Sequence, residues 1–239
     1  MANTTVLKIL VLGDAGVGKT SIIKRYTEGV FTRATIKATV AADFSTKSLT
    51  VFSGTERSQK VKLQIWDIAG QERLGNQLTR VYYKDAVGAI IVYDISQPKT
   101  FETVGRWKNE LDKVIELLPG MRSFPVILVG NKSDLEPPDD IVKGIDSNYQ
   151  KDYGLEVQSQ IDVKYIEEFC RTHNIVYWAD VSALEDRGIN DVVSYLTEAI
   201  LNESGNAFEF RRRQQASFKP GLPIENVPVS GGLAASQCC

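Results

Sequence analysis

Histidine, methionine and cysteine are nearly missing from this chain: its 239 residues hold one histidine, two methionines and three cysteines. The single histidine, His173, excludes a His-rich metal centre, and its place at the end of a helical pattern puts it on the surface. Cys170 stands alone and Cys238 and Cys239 are the last two residues, so there is no disulfide framework, and a reducing compartment is expected. No run of about 18 apolar residues occurs, which excludes a spanning helix. The first residues, MANTTVLK, lack the pattern of a secretory signal. Net charge is −2, so charge does not mark a nucleic-acid binder, and no nucleic-acid partner is expected. A content of 43% hydrophobic and 24% charged residues is ordinary for a globular protein.

What is present begins with GDAGVGKT at 13–20, directly after the apolar run that ends in Val11 and Leu12. A strand leading into G-x-x-x-x-G-K-[ST] is the phosphate-binding loop of nucleoside triphosphatases. Glycines let backbone N–H groups curl around phosphates with no Cβ in the way. Ala15, Gly16, Val17 and Gly18, with Lys19, Thr20 and Ser21, form the candidate cradle. Lys19 can reach the β- and γ-phosphates, and the Thr20 hydroxyl suits Mg²⁺. A helix over 19–28, stopped at Gly29, would add its positive dipole end.

Apolar runs at 6–12, 61–66, 87–93 and 125–129 alternate with helical patterns at 19–28, about 73–84 and 101–118. The third helix has Thr100 as its expected N-cap and Pro119-Gly120 as its stop. A helix at 162–173, a strand at 175–179 and a helix at 188–203 complete the series. The segment 38–52 alternates and can turn at Ser53-Gly54 into 60–66, giving an antiparallel edge pair. The expectation is an α/β fold, a single domain over 1–203 with a six-stranded, mostly parallel sheet and about five flanking helices. Residues 204–239 lose periodicity and read as a flexible tail.

In open α/β sheets, ligands bind beyond the carboxyl ends of the strands. Strand 61–66 ends in Asp67-Ile68-Ala69-Gly70-Gln71, and strand 125–129 in Gly130-Asn131-Lys132-Ser133-Asp134. Asp67 suits Mg²⁺ held through a water, Gly70 lets its N–H approach a γ-phosphate, and Gln71 can orient an attacking water. Asp134 can accept two parallel hydrogen bonds, which guanine offers and adenine does not. Asn131 can fix the loop or meet the base edge, and the stem of Lys132 can lie on the ring.

GDAGVGKT, WDIAGQE, NKSD and the following Ser182-Ala183 resemble the motif set of Ras-type small GTPases. WDIAGQER with TRVYYKDAVGAIIVYDIS, and the terminal Cys-Cys, is similar to the Rab family. The strings TSIIKRY, TRVYYK and TFE...RWK..LD are most like the 32/38-type branch, the Rabs that serve lysosome-related organelles. The resemblance covers about residues 6–203 and implies a GTP/GDP switch with Mg²⁺ and slow hydrolysis. It implies catalytic roles for Gln71, Lys19 and Thr39, with Thr39 joining Thr20 and Asp67 at the metal. It implies that Ser182, Ala183 and Leu184 form the loop that touches guanine, and that Phe44, Trp66 and Tyr82 face effectors; plain core packing is the other reading of these three rings. In Rabs the terminal Cys238-Cys239 receives two geranylgeranyl groups, and two lipids are what stable anchoring needs. Arg211, Arg212, Arg213 and Lys219 would add attraction to an anionic leaflet.

The implied partners are effectors, an exchange factor, an activating protein, a GDP dissociation inhibitor and a prenylation escort, with the protein itself a monomer. The implied place is the cytosolic face of an intracellular membrane (lysosome-related organelle, phagosome or endosome), with a cytosolic pool. Departures from the family pattern are the Ala41-Ala42 pair, Ala15 beside the expected position of Gln71, Leu184 in place of a lysine, and insertions at 52–60 and 135–160. The second insertion, with six acidic residues against two lysines, reads as a solvated loop or a partner-specific surface. Two other readings stay open: a GTP-bound scaffold with little hydrolysis, and an ATP-using phosphate-loop enzyme, against which Asn131-Lys132-Ser133-Asp134 argues.

Overall fold

The computed structural model describes residues 4–32, 39, 42–70, 81–117, 124–135 and 161–203. The apolar runs become strands: β1 Thr5–Leu12, β2 Ala42–Val51, β3 Gln59–Ile68, β4 Gly88–Asp94, β5 Val126–Asn131 and β6 Tyr177–Val181. Among the described residues these form one sheet in the order β2-β3-β1-β4-β5-β6. All pairings are parallel except β2–β3, in which Phe44 lies opposite Trp66 and Asp43 opposite Asp67. The expected sheet with one antiparallel edge strand is therefore present. β4 lies at its centre and is buried at every position, its apolar run ending in the buried carboxylate of Asp94.

The helices are α1 Lys19–Glu28, α2 Pro98–Glu102, α3 Val104–Leu117, α4 Val163–Thr172 and α5 Ile189–Glu203. Because side chains alternate along a strand, β1 serves two cores. Leu7, Ile9 and Val11 join residues of α1 and α5 on one face of the sheet. Leu10 and Leu12 join Phe101, Val104, Trp107 and Leu111 on the other. Truncating a fully buried leucine such as Leu10 to alanine would cost about 2–5 kcal/mol.

Four expectations need correction. The helix expected over 101–118 is two helices joined at Thr103, and it starts earlier, because Pro98 takes the first helical position behind Gln97. Thr100 is therefore inside α2, where its hydroxyl donates to the carbonyl of Gln97 (2.7 Å) and accepts from the N–H of Asp94 (3.0 Å). The last strand starts two residues later than expected, since the N–H of Ile175 is used on the carbonyl of Cys170 at the end of α4 (2.8 Å). His173 does end α4, but it is half-buried, its ring 4.3 Å from that of Phe169. Of the helix expected at 73–84, residues 81–83 are helical and 71–80 lie outside the described residues. The stretch 136–160 and the tail 204–239 also lie outside them.

The hairpin insertion does turn near Ser53-Gly54, with Phe52 at φ 51° and Gly54 at φ 79°. It folds back on α5, where Arg57 donates to the side-chain oxygen of Asn202 (2.7 Å).

Candidate functional site

Loop 13–18 leaves β1 and enters α1, and two glycines make that path possible. Gly13 has φ 137°, and a Cβ there would lie 2.2 Å from the carbonyl oxygen of Val92. Gly18 has φ 98°, and a Cβ there would lie 2.1 Å from the amide nitrogen of Asn131. The loop is thus pressed between two neighbouring strand ends. Val17 is buried beneath it, while Ala15 and Gly16 are exposed and Ser21 lies in the first turn of α1. Lys19 is 6% exposed, and its ammonium donates to the carbonyls of Gly13 and Asp14, each at 2.8 Å. Burial lowers its pKa, against the opposing pull of Asp67 and Asp14.

At the end of β3, Asp67 is 3% exposed. Its Oδ2 accepts from the hydroxyl of Thr20 and from that of Thr39 (3.2 Å), and the two hydroxyls are 3.0 Å apart. Its Oδ1 is buried and meets no hydrogen-bond donor among the described residues. Burial raises its pKa, while Thr20, Lys19 and Thr39 pull the other way and Asp43 adds a further rise. A buried carboxylate oxygen with two hydroxyls beside it fits a hard cation such as Mg²⁺, which takes few protein ligands and keeps waters and phosphate oxygens for the rest. Among the described residues no group of three or more His, Cys, Asp or Glu could hold a metal instead. Gly70 lies against the phosphate loop, so closely that a Cβ there would be 2.3 Å from the nitrogen of Ala15. Gln71 lies outside the described residues.

The expected base loop is assembled from two strand ends. Asn131, 2% exposed, donates to the carbonyl of Val17 (2.8 Å) and accepts from the N–H of Ala183 (3.2 Å). Of its two sequence-based roles, it is engaged in the first, tying three loops together. Asp134 accepts from the hydroxyl of Ser182 at 2.5 Å, and Ser182 also accepts from the N–H of Glu185. Leu184 follows Ala183, and the carbonyls of both accept from Arg25, at 2.9 Å (Ala183) and 3.0 Å (Leu184). The ammonium of Lys132 is 2.6 Å from a carboxylate oxygen of Asp94.

Asp94, Arg25 and Asp14 are the supporting residues that sequence reasoning missed. Asp94 carried a usable signal, since it ends an apolar run as Asp67 does. Arg25 carried none, being one cation among several on α1.

The rings of Phe44 and Trp66 are 5.3 Å apart and those of Trp66 and Tyr82 5.9 Å. Phe44 is 46% exposed, whereas Trp66 and Tyr82 are half-buried and pack against the core on that face of the sheet. Lys8 lies 4.3 Å over the Trp66 ring and donates to the carbonyl of Lys84. Cys238 and Cys239 lie outside the described residues.

The profile of the Ras family matches residues 8–202 of the chain. The chain is 41% identical to "Ras-related protein Rab-32" of Homo sapiens over 232 residues, covering 97% of this chain and 88% of that protein. It is 38% identical to "Ras-related protein Rab-32B" of Dictyostelium discoideum over 194 residues, 81% of this chain and 64% of that one. It is 35% identical to "Ras-related protein Rab-7L1" of Rattus norvegicus over 197 residues, 82% and 83% of the two chains.

Proposed function

The chain belongs to the Ras family, in its 32/38-type Rab branch, and is a GTPase; from that premise we propose a slow, GTP-timed switch that recruits effectors to intracellular membranes. The observation that carries the site assignment is the group of Thr20, Thr39 and Asp67 behind the buried Lys19, with Gly70 against the same loop. Lys19 and the backbone of 15–18 bind the phosphates. Thr20 and Thr39, with Asp67 behind them, hold Mg²⁺, which when bound neutralises charge on the phosphate oxygens. Gly70 turns its N–H toward the γ-phosphate and Gln71 orients the water. Asp134 takes the guanine edge, positioned by Ser182, and Asn131 keeps base loop and phosphate loop in register.

Thr39 and Gly70 are held while a γ-phosphate is present and released after hydrolysis, which changes the surface around Phe44, Trp66 and Tyr82. Effectors read that surface. An exchange factor, an activating protein and a GDP dissociation inhibitor with its escort act on the cycle. Cys238 and Cys239 carry two geranylgeranyl groups that attach the chain to the cytosolic face of a lysosome-related organelle, phagosome or endosome, with a cytosolic pool.

The test is single-turnover hydrolysis. Full-length protein is loaded with GTP and Mg²⁺, and phosphate release is followed over hours beside Gln71→Leu. The expected rate is on the order of 10⁻⁴ s⁻¹, the scale of Ras without its activator, and lost in the variant. Tight GTP binding with equal, near-zero release from both proteins would replace this reading with that of a scaffold.

A further inference from the structure

Asp14 is in the phosphate loop, but its side chain turns away from the phosphate side and joins the loop to the start of α3. One carboxylate oxygen accepts from the indole N–H of Trp107 at 2.8 Å, and the other from the hydroxyl of Thr103 at 2.8 Å. Trp107 is 2% exposed and packed in the core between α3 and the sheet, so the indole is a fixed donor. Arg106 also approaches Asp14, at 3.5 Å, but its side chain is 63% exposed, and a long, solvated ion pair contributes little. The two short bonds carry the attachment.

The backbone of the same residue has two further contacts. Its carbonyl accepts from the ammonium of Lys19 at 2.8 Å. The peptide that joins it to Ala15 is what Gly70 lies against: a Cβ on Gly70 would be 2.4 Å from the carbonyl carbon of Asp14 and 2.3 Å from the nitrogen of Ala15. One peptide therefore meets α3, the phosphate lysine and the glycine that reads the γ-phosphate.

We propose that Asp14 is a positioning residue for GTP hydrolysis, a clamp that fixes the Asp14–Ala15 peptide to Thr103 and Trp107 so that Gly70 closes at the right height. This rests on the assignment of Gly70 and Lys19 to the γ-phosphate. Without the clamp the peptide is free to move, and misplacement of a positioned group by about 1 Å can cost about a hundredfold in rate. GDP has no γ-phosphate for Gly70 to read, so its binding depends much less on the clamp.

The experiment compares full-length Asp14→Ala, Asp14→Asn, Trp107→Phe and the Asp14→Ala/Trp107→Phe double variant. Each is measured for single-turnover GTP hydrolysis and for dissociation of GDP and of a non-hydrolysable GTP analogue. Asp14→Ala should slow hydrolysis at least about tenfold and speed loss of the analogue several times more than loss of GDP. Asp14→Asn should recover most of the rate, because its oxygen can still accept from Trp107 while the Thr103 hydroxyl turns to accept from its amide. Trp107→Phe keeps the ring packing without the N–H and should reproduce much of the defect, and the double variant should be no worse than Asp14→Ala.

Equal acceleration of GDP and analogue release, wild-type hydrolysis in Asp14→Ala, no rescue by asparagine, or additive losses in the double variant would each overturn the clamp. If the unaltered chain neither holds nor hydrolyses GTP, the site assignment fails and the clamp falls with it; if it does both and the variants match it, only the clamp fails.

Discussion

The ammonium of Lys132 lies 2.6 Å from Oδ2 of Asp94, a carboxylate whose side chain is only 1% exposed. The same side chain accepts from the N–H and hydroxyl of Ser96 and from the amide of Gln97. Asp94 thereby anchors the loop after β5 to the loop after β4. Removing one partner of a buried pair leaves a charge without its counter-ion, at about 3–5 kcal/mol in the interior. Lys132 is 31% exposed, so water offsets part of this, and Lys132→Ala should cost about 2 kcal/mol. Urea unfolding at saturating GDP measures it, and GDP release should speed up in the same variant.

Asp134→Asn should weaken GTP binding at least about a hundredfold and move base preference toward xanthine, whose 2-carbonyl can accept from the new amide. Ser182→Ala removes the hydroxyl that holds Asp134 in place and should loosen both bases while leaving their order unchanged. Competition binding with GTP, XTP and ATP decides this. Equal competition by ATP on the unaltered protein would overturn the guanine assignment.

Chelating Mg²⁺ should speed GDP release from the unaltered protein by tenfold or more, since the phosphates then lose most of their neutralising charge. In Asp67→Ala both threonine hydroxyls lose their shared acceptor, so release should be fast already and respond little to chelator. A chelator effect of the same size in both proteins would remove Asp67 from the metal site.

Alkaline pH should weaken the fold. Burial, with Glu167 adding, pushes the Cys170 thiol from 9.0 up to about 12. Burial likewise pushes Tyr26 and Tyr177 from 10.0 to about 12, Asp191 adding at Tyr177. These groups hold their protons more tightly folded than unfolded, so native protein binds more protons between the two values and stability falls as pH rises. The contribution is intact below about pH 9 and is lost progressively toward pH 12. Thermal melts across that range check the sign. In a chain with both terminal cysteines changed to serine, Cys170 should also resist alkylation at pH 8 until the protein unfolds.

Much of the fold and many of the site residues were legible because the phosphate loop and the strand-end carboxylates are local patterns. GDAGVGKT and WDIAG each announce both a residue type and its place after an apolar run. Boundaries were less legible where a single residue decides them, as Pro98 does at α2 and Ile175 does before β6. The supporting contacts were not legible for a different reason. Arg25 meets Ala183 and Leu184 across more than 150 residues of chain, and Asp14 meets Trp107 across 93. No periodicity connects residues so far apart, and only the packing of helices on the sheet brings them together.

Trp66 and Asp67 are consecutive in β3, and a strand sends neighbouring side chains to opposite sides. The indole is therefore on the face with Phe44 and Tyr82, and the carboxylate on the opposite face with Thr20 and Thr39. A sliding of β3 along its neighbours would disturb both at once, so timing and display are mechanically inseparable in the backbone. At the level of side chains they are independent. A substitution of Trp66, or of its more accessible neighbours Lys60, Lys62 and Gln64, would change that face while Asp67 stays with its hydroxyls.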